Sequence, residues 1–299
     1  GYAAIFTNTT GSNNTALGRY ALVANTTGGM NTAIGKGALS ANTTASNNTA
    51  VGYASLEENT TGFSNTAAGW ASMMANTTGA RNIAIGLGAY DAADTENDNL
   101  AIGIDALGGA IAGGEYNVAI GNYSLDANTT GDENVAVGYG SLGANTTGKG
   151  NTAIGSEGLK VNTTGDFNTA SGSWALHSNT TGDGSTAIGS EALKANTTGS
   201  YNTATGLQSL YANTTGSSNT ATGIFSLNAN TTGDKNTATG YSLYANTTGS
   251  NNIGMGYDAL AANTTGTRNI SIGNGALDAP DTENDNLAIG YDALGGSIA

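Results

Sequence analysis

The chain has 299 residues, with 47 glycines, one proline and no cysteine, and the missing thiols exclude a disulfide framework, a thiolate metal site and a cysteine nucleophile. Eight Lys and Arg against 22 Asp and Glu give a formal net charge of −14. That balance disfavours nucleic acid and anionic membranes as partners, because both need a cationic footprint.

No apolar run reaches the roughly 18–20 residues of a membrane span, and no signal peptide is visible. Glycine without a three-residue period excludes collagen. A strict repeat and a low charged fraction argue against disorder.

In chain order, one phrase recurs. Its fullest copy is Asn-Thr-Ala-Ile-Gly-Ser-Glu-Gly-Leu-Lys-Val-Asn-Thr-Thr-Gly at 151–165. It restarts every 17 residues from Asn14 to Asn99, then from Asn117 to Asn236, then from Asn252 to Asn286, with Ser185 once in place of Asn. One residue is added before Asn117 and one is lost between Gly240 and Leu243. A short, strict period means stacked coils, one repeat per coil. The domain reading is a single repeat array over 1–299. Gly1 is already in phase with Gly18, and the sequence stops part-way through a coil at Ala299, so the array is expected to be a piece of a longer polypeptide.

Counted from the leading Asn, position 5 is always Gly, as at Gly18, Gly35, Gly52, Gly138 and Gly155. Position 9 is Leu in nearly every coil, as at Leu22, Leu39, Leu56, Leu125, Leu142, Leu159 and Leu193, with Met73 and Tyr90 as exceptions. Position 3 is almost always Ala, and positions 12–15 are usually Asn-Thr-Thr-Gly. Glycine permits positive φ or close backbone approach, so positions 5 and 15 are expected to be turns. The stretches between them, positions 1–4 and about 7–11, are long enough only for short strands. Helix is excluded by the lack of helical periodicity and by the abundance of Gly and Thr. The predicted fold is all-β: a parallel β-solenoid or β-roll, its coils about 4.8 Å apart. Strand alternation turns Leu at position 9 and Ala at position 3 inward and leaves positions 2 and 4 outward. Position 4 is mostly aliphatic, as at Ile34, Val51, Ile85, Ile120 and Ile154. An outward aliphatic stripe calls for cover, and each coil has few large apolar side chains to offset its ordering entropy. Burial against further copies of the chain is therefore expected.

The phrase Asn-x-Ala-Ile-Gly followed by a Gly turn resembles the head repeats of YadA-like trimeric autotransporter adhesins. With Asn-Thr-Thr-Gly included it is similar to repeats of phage tail fibres that end in a self-cleaving chaperone domain, and of related surface filaments. The resemblance covers essentially the whole chain. It implies a left-handed β-roll assembled as a homotrimer and an extracellular location on a virion or cell surface. The adhesin repeat is shorter than 17 residues, which implies a different coil cross-section here.

Two blocks, 82–116 and 269–299, depart from the pattern in the same way. Each replaces Asn-Thr-Thr-Gly by an acidic turn and is expected to set a bend, a register change or a junction. Their carboxylates, Asp91, Asp94, Glu96 and Asp98 with Asp278, Asp281, Glu283 and Asp285, are candidate metal ligands. Calcium is the one cofactor they suggest, since it takes six to eight oxygens. A solvated acidic turn is the favoured alternative, and a paired-carboxylate glycosidase is weaker still. Asn25, Asn42, Asn59 and Asn76 each open an N-glycosylation sequon, against the favoured reading that Asn and Thr stack as polar ladders. Three successive Thr-x-Thr rungs at 203–205, 220–222 and 237–239 suggest an ice-binding surface. Tyr20, Tyr53, Trp70, Trp174 and Tyr211 near positions 6, 7 and 10 suggest rings that stack on sugars or cover apolar edges. His177 is the only histidine, so no Ser-His-Asp set can be assembled, and no phosphate-binding loop occurs. The functional expectation is a non-catalytic fibre or adhesin segment presenting a tip. The expected partners are the chain itself, as a trimer or filament, and a host-surface glycan or protein receptor. A self-assembling extracellular filament and an ice-binding solenoid are the alternatives.

Overall fold

The computed structural model describes residues 1–92, 94–109, 113–279 and 282–296. It is an all-β parallel solenoid, and no helix occurs among the described residues. Two compact units divide it, Gly1–Gly150 and Asn151–Ala299. The first carries β1 (Thr15–Leu17) through β8 (Val135–Val137), the second β9 (Thr152–Ile154) through β17 (Leu287–Ile289). Each strand is three residues long and occupies positions 2–4 of its coil. Like positions pair in parallel, Thr15 on Thr32 and Leu17 on Ile34 in the first unit, Thr152 on Thr169 in the second.

The added and lost residues leave this register intact. Leu100 faces Val118, and Thr237 faces Ile253. Both irregularities lie between strands, and the strand pairing on either side of them stays in register. Pairing is fixed by side chains that alternate between two faces, and a one-residue slip would reverse every one of them.

Among the described residues each coil forms one strand. Positions 7–11, expected as a second short strand, are a run of turns. Glu157 and Leu159 have φ of 58° and 49°, and the same two positions are left-handed in coil after coil. Alternating left-handed residues turn the chain where a strand would extend it. Hydrogen bonding from coil to coil survives, with Leu159 N–H donating to Ala175 O at 3.0 Å and Val161 N–H to His177 O at 3.1 Å. A left-handed Leu costs roughly 1–2 kcal/mol, and full burial at position 9 offsets it at about 1.5–3 kcal/mol per side chain.

The core is columnar. Ala at position 3 and Leu at position 9 are buried in every coil between the two end coils, with Met73 and Tyr90 taking the Leu place in theirs. Position 8 adds a third inward column of Ala and Ser, such as Ala38, Ser55, Ala175 and Ser209, all without exposure. The two Gly positions differ in kind. At position 5, Gly155 has φ +128, and a β-carbon there would sit 2.7 Å from the Gly172 backbone. At position 15 the approach is as close, 2.5 Å from the Gly182 carbonyl oxygen for a β-carbon on Gly165, but no left-handed φ is needed, and Ala45, Glu96 and Glu283 replace glycine there.

Two asparagine columns form a polar core beside the apolar one. At position 1, Oδ1 accepts the backbone N–H of the next coil's Asn, as Asn31 does from Asn48 at 3.0 Å. Its Nδ2 donates to the position-15 carbonyl of its own coil, Asn48 to Gly62 O at 2.8 Å. At position 12, Nδ2 donates both to the same carbonyl and to Oδ1 of the preceding Asn. Asn213 does so to Gly216 O at 2.9 Å and Asn196 at 2.8 Å. These amides close the turn covalent structure leaves open, and away from the end coils they are buried, so the polar atoms must be paired for the coil to be stable.

Candidate functional site

The acidic turn of the first block is held by local backbone donors. Glu96 occupies position 15 and is 4% exposed. Its carboxylate accepts N–H bonds from Asp94 (3.1 Å), Thr95 (3.0 Å) and Gly113 (3.0 Å). Gly113 precedes Gly114, whose carbonyl accepts from Asn99 Nδ2 at 3.0 Å, so Glu96 ties the turn of its own coil to that of the next. In the second block the Glu283 carboxylate accepts the Thr282 N–H at 3.1 Å. Asp98 is gripped by Arg81 at 2.7 and 2.6 Å, and Asp285 by Arg268 at 2.5 and 2.7 Å. Those hydrogen bonds hold both carboxyls below their ordinary range. Asp94 accepts from the Thr77 hydroxyl, and Asp278 Oδ1 accepts the Gly296 N–H at 3.3 Å. Asp281 lies outside the described residues.

The seven described carboxylates are therefore held by separate partners and not gathered into one site. Among the described residues no group of three or more His, Asp or Glu is arranged to hold a metal ion. Carboxylates from neighbouring coils do interact, by a route that linear spacing conceals. Asp91 and Asp126, at position 10, flank Asp105, at position 7 of the coil between them. Burial, then the Asp105 charge, raises the pKa of both.

Asn25, Asn42, Asn59 and Asn76 are completely buried. Each Nδ2 donates to the preceding Asn and to its own turn carbonyl, as Asn42 does at 2.8 and 3.1 Å. In the folded coil there is no room for a glycan on these nitrogens. Among the described residues the column breaks after Asn76 in the first unit, resuming at Asn128, and ends at Asn263 in the second, and at both places Oδ1 has no partner. The next position 12 in the sequence is Ala93 or Pro280, both outside the described residues.

Two outward surfaces remain. One is the sheet face, where Ile85 is 42% and Ile154 47% exposed. In the coils beginning at 82, 99, 117 and 134, positions 2 and 4 are both aliphatic, from Ile83 and Ile85 to Val135 and Val137. In β12 (Thr203–Thr205), β13 (Thr220–Thr222) and β14 (Thr237–Thr239) they are threonines in register.

The other surface is lined by positions 6, 7 and 10. Tyr53 stacks on Trp70 at 6.0 Å, and Trp174 on His177 at 4.7 Å. Lys194 Nζ lies 4.5 Å from the Trp174 ring centre. His177 Nε2 is 3.5 Å from Glu157 Oε2, yet burial outweighs that attraction and lowers the imidazole pKa. Glu157 is lowered chiefly by its 2.6 Å bond from Lys160. Tyr90 was visible in the sequence only as an exception at position 9. It is buried in the core, and its hydroxyl accepts from Asn99 Nδ2 at 2.7 Å.

Neither a scan against protein-family models nor a search of curated proteins returned a match.

Proposed function

We propose that the chain is a non-catalytic segment of an extracellular fibre or adhesin on a cell or virion surface. In this reading its coils wind left-handed and three copies assemble side by side to project a binding tip. The observation that carries it is the sheet face: an aliphatic column stands exposed in both units while the buried amides are spent on holding coil to coil. Apolar patches of this extent favour burial against a partner, and closed symmetric assembly of identical chains is the commonest way to bury one.

Sedimentation equilibrium tests the proposal. The expected mass is three times 29.4 kDa, falling when Ile85→Arg and Ile154→Arg place charge on the face. A wild-type monomer would refute it, and open-ended polymers seen by electron microscopy would favour a filament instead.

A second reading rests on the three threonine rungs. Neighbouring rungs are about 4.8 Å apart, the kind of flat hydroxyl array that suits an ice surface. Measurable thermal hysteresis, abolished by Thr222→Tyr, would support it, and its absence would remove it.

A further inference from the structure

Within the first unit the aromatic surface carries a groove of about 240 Å³ spanning three coils. Its floor is Gly37, whose missing side chain opens the space between Tyr20 on one coil and Tyr53 two coils on. At the spacing of hydrogen-bonded strands the two ring-bearing coils are roughly 10 Å apart, enough for one small ring between them. Ser40 and Glu57 form the polar rim, with Glu57 Oε1 only 3.2 Å from where a β-carbon on Gly37 would stand. The volume falls below the roughly 300 Å³ at which drug-sized pockets begin, so the occupant is a single ring or the exposed residue of a longer chain.

Charge narrows the chemistry. Arg19 and Lys36 precede the first acidic residue of a molecule whose net charge is −14, and with Glu57 on the rim they leave the groove one net positive charge. Neither is ion-paired with a described carboxylate, unlike Arg81, Lys149, Lys160, Lys194 and Arg268. Both lie over the groove's rings instead, Arg19 at 4.8 Å from the Tyr20 centre and Lys36 at 5.1 Å from that of Tyr53. A cation resting on a ring face keeps its charge available to an incoming anion. Aromatic walls suit the apolar face of a sugar ring, and Glu57 and Ser40 suit its hydroxyls. A multiply charged ligand would meet the acidic remainder of the chain.

We propose that this groove binds a saccharide residue bearing one carboxylate, its ring held between Tyr20 and Tyr53 and its carboxylate on Lys36 and Arg19. The site deepens the adhesin reading and rests on it only for the source of the sugar. Failure of binding leaves the solution mass unchanged, so the two ideas fail separately.

Trp70 stacks on Tyr53 and reports on the groove. With Trp174→Phe as background, Trp70 emission is titrated with methyl galacturonic acid, which bears one carboxylate, and with neutral methyl galactoside. The expected result is a saturable change with the uronate, about tenfold weaker for the neutral sugar and in Lys36→Gln, and weakened by salt. Saturation-transfer NMR on the unaltered protein repeats the comparison without any substitution. No saturable signal by either method up to about 10 mM would overturn the site. Equal affinity for the two sugars, or for wild type and Lys36→Gln, would overturn the assignment of the carboxylate.

Discussion

Replacing Asn213 by Ala isolates the asparagine column. Asn213 donates to Asn196 Oδ1 and Gly216 O, and accepts from Asn230 Nδ2 at 2.7 Å. Gly216 O keeps a second donor in Asn202 Nδ2 at 2.8 Å, and Asn230 keeps its bond to Gly233 O at 3.0 Å. The substitution therefore orphans two buried groups, the Asn196 oxygen and one Asn230 N–H. At about 1–3 kcal/mol for each buried group left unpaired, the expected loss is roughly 2–6 kcal/mol.

Asn263→Ala is the matched control. It orphans the Asn246 oxygen but removes the Asn263 oxygen, which already lacks a partner. The number of unpaired buried groups does not change, and the loss should be about 1 kcal/mol, the net worth of an ordinary hydrogen bond. Solenoids unfold by neighbouring coils, not always in one step. Peptide-resolved hydrogen exchange in the coils around each site is thus the primary assay, with urea melts beside it. Equal effects of the two substitutions, or an Asn213→Ala loss below about 1 kcal/mol, would refute the column as a source of stability.

Further outcomes follow from the same geometry. Gly189→Ala should cost about 1–3 kcal/mol more than Gly199→Ala, because a β-carbon is crowded at both, 2.5 and 2.4 Å from a neighbouring carbonyl oxygen, but only position 5 also needs φ +134; thermal melts of the two variants decide this. Leu210→Ala should cost about 2–5 kcal/mol, read as faster exchange in its own and adjoining coils. The lone imidazole, His177, should titrate below its ordinary value of about 6.5, and Glu157→Gln should lower it further, since Glu157 favours the charged ring. The folded state then binds that proton less readily than the unfolded one, so the His177 contribution is complete above the unfolded pKa and declines as pH falls through it. NMR of the single histidine measures the shift, and a value at or above 6.5 would contradict the burial argument. For Asp98 and Asp285 the hydrogen bonds from Arg81 and Arg268 contribute above the unfolded carboxylate pKa and are lost in acid; carboxylate NMR titration should show both protonating later than free aspartate.

Repetition made most of the architecture legible. Seventeen-residue spacing set one coil per repeat, and Leu at position 9 with Ala at position 3 marked the inward columns. Both conclusions rest on local rules, strand alternation and the conformational demands of glycine, which act within one coil. The Asn-Thr-Thr phrase showed that polar side chains must serve the turn, because the same residues recur at the same place. Small residues at position 8 were present in every coil, and that column could have been read from their lack of bulk alone.

Other features required the third dimension. Nothing in Glu157 or Leu159 announces a left-handed backbone, since neither glycine nor asparagine stands there; stacking against the coils on either side imposes it, and a turn replaces the expected second strand. The carboxylates grouped by sequence, Asp91, Asp94, Glu96 and Asp98, point to separate partners, whereas Asp91, Asp105 and Asp126 interact across coils. The groove at Gly37 likewise exists only because Tyr20 and Tyr53, 33 residues apart in the sequence, are brought two coils apart in space. The sequence by itself determined the period, the inward columns and the obligatory glycine, all properties of a single coil. Tertiary structure alone decided the pairings between coils, because a contact at a separation of one repeat depends on how the turns stack and not on any residue's own preference.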